Sequence, residues 1–459
     1  MTDWTRALKL EQEVARIITQ QEINGVAFDK LKAHGHVIKL EHYKKELYNQ
    51  IRPSLIMELV VPYTVEIKKP FLKNGGYSKA VIDWYADPSI VGGPFTRIDW
   101  EEPDLGSRQK VIKQMLRLGW KPDMFTEKGS PKLTDKGLPT PSLERFPVGE
   151  LLAKYYTYSH RQSQIKGWIE NVRPDGRITA GANSCGTNTA RMRHRTVVNV
   201  PKADPKVLFG HEMRELFIAR QGYRLVGHDA SGLEARMMAH YTYKYDDGEF
   251  ADLILNGDIH AHNARIFFEE EVADLSTDSP EFKSFRSRGK NGTYCLMYGG
   301  QPAKLASTLG VAPSKAKYLF DAFWRGNPAL GKLRDIVIRM SENQGWIPGL
   351  DGRRIFTRSS HSALNALFQS GGAIVMKQSM VLLDRWVREK GLRVYKVLDM
   401  HDESQAEVPE MDCYFVDDIE RCEYGELACE SIREAGRILN LKCDLDADYS
   451  IGSNWAETH

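Results

Sequence analysis

The chain has 459 residues, 42% apolar and 27% charged, and its 63 Lys and Arg against 61 Asp and Glu leave a formal net charge of +2. That length fits about three folded units with a sizeable core, no run approaches the ~18 apolar residues of a membrane span, and the charged opening MTDWTRALKLEQEVARIITQ holds no secretory core. The six cysteines form neither a CxxC pair nor a zinc-finger spacing, so a reduced, cytoplasmic protein without disulfide frame or structural zinc is expected.

Helix is expected over 8–50, broken by the turn Asn24-Gly25 and the extended Val26-Ala27-Phe28. From His36 to Ile51 the apolar positions Val37, Leu40, Tyr43 and Leu47 keep a helical period. Residues 52–148 are rich in Pro and Gly and are the least regular part, with one helix at 106–118. A further helix, 148–172, stops at Pro174-Asp175-Gly176. Short extended runs fill 177–228, and Tyr223–His228 reads as a buried strand that delivers Asp229 just before a helix opening at Ser231. Residues 248–345 are mostly helical, with breaks at Gly299-Gly300, Gly310 and Gly326-Asn327-Pro328. Helix 362–390, strand 394–400, a turn at His401-Asp402-Glu403, strand 405–408, helix 412–437 and a final extended piece complete the chain.

Chemistry concentrates at three places. LVGHDASGLEARMMAH and KVLDMHDESQAEV each bring carboxylates to a strand end, Asp229 in one and Asp402 with Glu403 in the other. Two unpaired carboxylates about 4 Å apart repel by roughly 4 kcal/mol at an effective dielectric of about 20. Such a pair therefore needs a shared proton or a cation. Oxygen donors without Cys or a fixed His set select a hard ion, Mg²⁺ or Mn²⁺, and two such ions about 3.5–4 Å apart serve phosphoryl transfer. The plain alternative makes Asp229 a helix cap and Asp402-Glu403 a solvated turn.

The third place is FRSRGKNGTYCLMYGG. Arg286, Lys290, Tyr294 and Tyr298 recur every fourth residue, so the first three share a stripe roughly 80° wide on one helix face. A guanidinium, an ammonium and then a ring suit a nucleoside triphosphate. Gly289 and Gly292, each costing about 1 kcal/mol against Ala in a helix, point to close approach by something else. Basic residues also cluster at Arg191-Met192-Arg193-His194-Arg195, at Lys283 to Lys290, and at Arg353, Arg354 and Arg358. Gly326 to Lys332 imitates a P-loop, but Leu333 replaces the Ser or Thr that would hold the metal. His260 and His262 lack the third ligand of a catalytic zinc.

In their order, Asp229-Ala230-Ser231-Gly232-Leu233-Glu234, the Arg286-to-Gly299 helix and His401-Asp402-Glu403 resemble motifs A, B and C of family A DNA polymerases, most closely the T-odd phage branch. The resemblance continues through Gly257-Asp258-Ile259-His260, Gly349 to Arg353, Leu364 to Ser370 and the ending Asn454-Trp455-Ala456-Glu457-Thr458-His459. It implies an α+β right-hand polymerase fold with an antiparallel-sheet palm, helical fingers and a helical thumb. The limits it suggests are 1–165 for an N-terminal palm segment and thumb, 166–240 for palm, 241–365 for fingers and 366–459 for palm again.

By the same resemblance Asp229 and Asp402 would hold two Mg²⁺ ions, with Mn²⁺ as substitute and the Ala230 carbonyl as a further ligand; Glu403 would be an accessory acid. Arg286, Lys290 and His260 would meet the dNTP triphosphate, Lys290 as the catalytic proton donor to pyrophosphate. Tyr294 would pack on the incoming sugar and base, in a position where Tyr goes with dideoxynucleotide tolerance. Glu234 would occupy the space of a 2′-hydroxyl. Arg191 and Gln369 would contact the minor groove, His401 the primer terminus, and Tyr298 with Gly299 the templating base.

Three positions depart from the family pattern: Cys295 and Ala190 each stand where Gly is usual, and Gly289 where Ala is usual. The expected activity is DNA-templated extension of a primer by dNTPs with release of pyrophosphate, in the cytoplasm, or that of a host if a phage encodes the chain. The family's 3′–5′ exonuclease domain would lie upstream of a polymerase region that here begins almost at Met1, so no proofreading is expected. Asp418-Ile419-Glu420 imitates an exonuclease DxE but falls within the expected 412–437 helix. Residues 52–100 are too few for the thumb insertion by which some phage relatives recruit a thioredoxin clamp, which argues against that partner; a separate exonuclease or replisome proteins stay open. A single-subunit RNA polymerase is disfavoured by the acids Glu234 and Glu403, and a two-metal nuclease has no need of the triphosphate-binding helix. An inactive primer-template binding module would not need both Asp residues and the stripe intact.

Overall fold

The computed structural model describes residues 4–60, 66–96, 99–126, 128–135 and 137–458. His459, the last residue of the ending named above, lies outside them. The chain divides into two compact units, Met1–Ala33 with Gly167–His459, and His34–Lys166.

The larger unit is organised by a four-stranded antiparallel sheet in the spatial order Tyr395–Met400, Glu403–Pro409, Tyr223–Ala230, Ala447–Gly452. Leu225 to His228 are buried in succession because strands flank them on both sides and helices cover the sheet. Val226, Ala406 and Val408 pack with Leu383 of helix Ala363–Glu389 and with Tyr424 and Ala428 of helix Glu423–Ile438. Helix Thr5–Asn24 joins a second, larger core through Leu10, Val14 and Ile17, which the same two helices enter through Met380 and Ile432. Helices Ile259–Phe267, Pro280–Met297, Pro302–Leu309, Ala316–Gly326 and Pro328–Gln344 form the long helical stretch, with the Phe267 and Phe323 rings stacked 5.5 Å apart at its centre. The result mixes helices with an antiparallel sheet, as the α+β reading expects.

In the smaller unit, Ile51, Met115, Trp120, Leu143 and Leu152 make a separate core between segments of Lys30–Ile51, Arg108–Arg117 and Gly149–Glu170. Short strand pairs, such as Glu66–Ile67 with Phe95–Thr96, fill the Pro- and Gly-rich stretch. Among the described residues no helix is long and apolar enough to cross a membrane.

One expected element is corrected. The 412–437 stretch is not a single helix: Cys413–Val416 and Ile419–Cys422 pair as a hairpin, and only Glu423–Ile438 is helical. Asp417 and Asp418 both take left-handed φ, 49° and 61°, the backbone that a two-residue hairpin turn requires. Asp418-Ile419-Glu420 therefore lies on this hairpin, and Glu420 is paired with Arg224 at 2.7 Å.

Candidate active site

The carboxylates owe their placement to register. Asp229 stands opposite Glu403 on one neighbouring strand and opposite Asp448 on the other. The next step along, the Ala230 N–H donates to the Asp402 carbonyl at 3.2 Å. Asp229 and Asp402, 173 positions apart in sequence, thus sit at the same end of adjacent strands, whose spacing is about 4.8 Å. A two-residue loop, His401-Asp402, joins Met400 to Glu403. His401 carries φ +65°, a conformation in which non-Gly residues pay roughly 1–2 kcal/mol, and such strain is typical of functional turns.

The acids of this corner have different surroundings. Glu403 is 5% exposed and accepts from Arg214 Nη1 at 3.5 Å, from Gln405 Nε2 at 2.9 Å and from the Trp455 indole N–H. The Arg214 guanidinium lies 4.3 Å from the centre of the Trp455 ring, so a cation and the C-terminal segment hold Glu403 in place. Asp229 is half-buried and Asp402 exposed. Among the described residues no Lys or Arg is paired with the Asp402 carboxylate. Asp448 was not singled out in the sequence; it is exposed next to Asp229 and accepts from the Ser231 hydroxyl at 3.1 Å. Only knowledge of the strand pairing brings it to this place.

Asp402 and His401 line a cleft together with Arg191, Glu234 and Gln369. The ring of His194 meets His401 edge-on at 4.9 Å. Burial, with Arg191 nearby, brings both imidazoles down to about 4, so both are neutral at pH 7. His194 was legible only as one member of a charged run. Ala190, where the family pattern has Gly, takes φ +60°. Lys377 is another lining residue the sequence did not reveal: it is 1% exposed and donates to Glu11 Oε1 at 2.6 Å and to the Ser184 carbonyl at 2.9 Å. Arg353 of the third basic cluster reaches the same Glu11 oxygen at 2.6 Å and pairs with Asp351 at 2.6 Å; it is buried and structural.

Glu234 also lines a second cleft, with Asp258, His260, Arg286, Tyr294 and Tyr298. Here helix Pro280–Met297 is the organising element. Ser279 caps it by accepting from the Phe282 N–H at 3.1 Å, and Pro280 opens its first turn. Phe282, Gly289, Gly292, Thr293 and Leu296 are buried on one side, which leaves Arg286, Lys290 and Tyr294 on the other. What approaches the glycines is protein. A Cβ on Gly289 would lie 3.0 Å from Ala264 Cα, and one on Gly292 would lie 2.7 Å from Leu309 Cδ2. Helix Ile259–Phe267 therefore packs directly against this one, and its Asn263 donates to Thr293 Oγ1 at 2.9 Å.

Asp258 caps the Ile259–Phe267 helix through the N–H groups of His260 and Ala261 and pairs with Arg286 at 2.7 Å. Burial pushes its carboxyl up, yet Arg286 and the Ala261 N–H outweigh that and hold it below its usual range. Burial first, then Lys290 and Arg286, lowers His260. Burial, then the Glu234 carboxylate, raises the Tyr294 and Tyr298 hydroxyls. Lys290 is exposed, and no carboxylate is paired with it among the described residues. Gly299 follows at φ +80°, where a Cβ would lie 2.5 Å from the His361 carbonyl oxygen. His262 contacts the Gly326 carbonyl at 3.2 Å, a packing role.

The family model described as DNA polymerase family A matches residues 96–457. A DNA-directed DNA polymerase of Escherichia phage Phieco32 is 31% identical over 398 residues, covering 68% of this chain and 60% of that protein. Those of Enterobacteria phage T3 and Escherichia phage T7 are each 27% identical, covering 100% of this chain and 71% of theirs. The POL domain of Pol1 from M. smegmatis, solved in complex with DNA primer-template and dNTP, superposes with a TM-score of 0.71 at 22% identity, over 97% of this chain and 70% of that one, a likeness of fold.

Proposed function

The chain belongs to DNA polymerase family A, and from that premise we propose that it extends a primer 3′ end with dNTPs on a DNA template. The observation that carries the reading is the meeting of Asp229 and Asp402 at one end of the two central strands, with Glu234 shared between the cleft that Asp402 lines and a second cleft lined by Arg286 and Tyr294. The donor set at those strand ends is all oxygen: two carboxylates and the Ala230 carbonyl, with no Lys or Arg paired to Asp402 among the described residues. It fits a pair of hard divalent cations, Mg²⁺ with Mn²⁺ as substitute. Bound there, the ions supply the charge that lowers the pKa of the primer hydroxyl and neutralises the phosphates in transit.

The chain's own groups do the rest. Arg286 exchanges Asp258 for triphosphate oxygens, and Lys290, one helical turn on, meets the same phosphates and protonates the departing pyrophosphate. His260, kept neutral by burial and by the two cations, donates a hydrogen bond without adding charge. Tyr294 stacks on the incoming nucleoside, and Glu234 fills the space beneath the sugar that a 2′-hydroxyl would need. Arg191, Gln369 and His401 line the neighbouring cleft in position for the duplex end, with Tyr298 and Gly299 at the templating base. Glu403 acts through structure, by anchoring the strand to Arg214 and Trp455. Residues 1–165 supply the N-terminal palm segment and thumb, 241–365 the fingers, and 166–240 with 366–459 the palm. Polymerisation without proofreading is the activity proposed for the described residues.

Primer extension with Mg²⁺ tests it. Asp229→Asn and Asp402→Asn should each lower incorporation by at least about 10³-fold while duplex binding persists. Normal extension by either variant contradicts the assignment.

A further inference from the structure

Successive residues of a strand point to opposite faces, so His228 faces away from the side that carries Asp229. On the His228 side lies a cavity of about 660 Å³, counting the solvent at its mouth, between the sheet and helices Thr5–Asn24, Ala363–Glu389 and Glu423–Ile438. Ile17, Met376, Met380 and Leu383 make an aliphatic wall. The floor is polar. Lys396 there lies 2.9 Å from Asp399 Oδ2 and is bonded to the Ser404 hydroxyl, burial pushes the Asp399 carboxyl up, and Asp384, which also lines the cavity, is paired with Arg16 and Arg388. His228 is 4% exposed, and its Nδ1 meets no hydrogen-bond partner among the described residues.

An unpaired buried polar atom is costly, and a partner brought by a ligand removes that cost. An ionic ligand would lose its hydration here and would compete with groups already engaged, Lys396 by Asp399 and Ser404 and Asp384 by Arg16 and Arg388. Water is the other occupant to consider: Gln20, Asn24 and Ser379 also line the cavity and can partner it on the polar side, whereas the aliphatic wall offers few of the two to four partners an ordered molecule needs. A hydroxyl suits the imidazole in either tautomer, because it both donates and accepts.

We propose that this cavity is a binding site for a small neutral molecule with a phenol-sized apolar body and one hydroxyl, the hydroxyl bonded to His228 Nδ1. It lies on the strands that carry Asp229 and Asp402 but opens on the other face, so its occupant touches neither nucleotide nor primer. The site stands independently of the polymerase reading.

The test titrates 4-ethylphenol into the full chain, without nucleotide, DNA or divalent metal, by ligand-observed NMR. Saturable binding is expected, about tenfold tighter than that of 4-ethyltoluene, which lacks the hydroxyl, and of 4-ethylbenzoate, which is charged. Met380→Trp, which fills the cavity, should abolish binding while the far-UV spectrum is retained. If that variant does not fold, Ile17→Phe replaces it with the same expectation. Absence of a saturable signal means a cavity holding water only and overturns the proposal. So does equal or tighter binding of 4-ethyltoluene or 4-ethylbenzoate, or undiminished binding in a folded cavity-filled variant.

Discussion

Glu403 and Asp402 are neighbours in the chain with opposite fates: one lies beneath Trp455 and against Arg214, the other on the open side of the cleft. Their difference comes from residues 189 and 52 positions away from Glu403, so no local pattern could separate them. The tip His401-Asp402-Glu403 was legible because two β-rich runs flank it; which of its acids stays accessible was not. Gly299 offers a sharp test at this scale. Gly299→Ala meets both a left-handed φ of +80° and a backbone oxygen 2.5 Å from the new Cβ. Since neither can relax through a side chain, the variant should lose at least about 2 kcal/mol in denaturant unfolding. Unchanged stability would show that the turn after Tyr298 is not built this way.

Among elements, helix Pro280–Met297 was the most readable, because four-residue spacing alone assigns Arg286, Lys290 and Tyr294 to one side. What the spacing could not reveal is the partner of its other side. Thr293 accepts from Asn263 and donates to the Gly289 carbonyl, each at 2.9 Å, and Asn263 in turn accepts from Asn327 at 3.1 Å. This buried chain of polar groups ties the helix of Arg286 to the helix of His260. Thr293→Val keeps the volume but leaves the Asn263 amide without its acceptor, at a cost of about 1–3 kcal/mol. Its melting temperature should fall and its KM for dNTP rise while primer-template affinity is kept; wild-type melting would contradict the coupling. The expected 412–437 helix failed for a local reason. Cys413 to Val416 are β-formers, and Asp417-Asp418 turns the chain as Asn-Gly would, but the acid-rich stretch beyond disguised the turn as helix.

At the scale of the whole molecule, the long helices and the strand order of the chain were readable, whereas the pairing of Tyr223–Ala230 with both Glu403–Pro409 and Ala447–Gly452 was not. Sheet partners distant in sequence leave no periodic trace. Burial also sets how the folded chain responds to acid. His228 is brought down to about 3 by burial, and His194 and His240 to about 4 by burial and neighbouring cations. Each takes up its proton near 6.5 once unfolded. Between about pH 6.5 and 4 the unfolded chain thus binds more protons, so this stabilisation is complete above 6.5 and is lost as the pH falls. Melting temperature should drop steadily from pH 7 to pH 5, and His240→Gln should flatten that drop; a flat profile in the parent chain would contradict it. Asp229 and Asp402, brought together by strand pairing, are proposed to hold the divalent ions. Anomalous diffraction from crystals grown with Mn²⁺, primer-template DNA and a non-extendable dNTP tests this most directly. Manganese peaks within coordination distance of both carboxylates are predicted; peaks that avoid either residue would contradict the account.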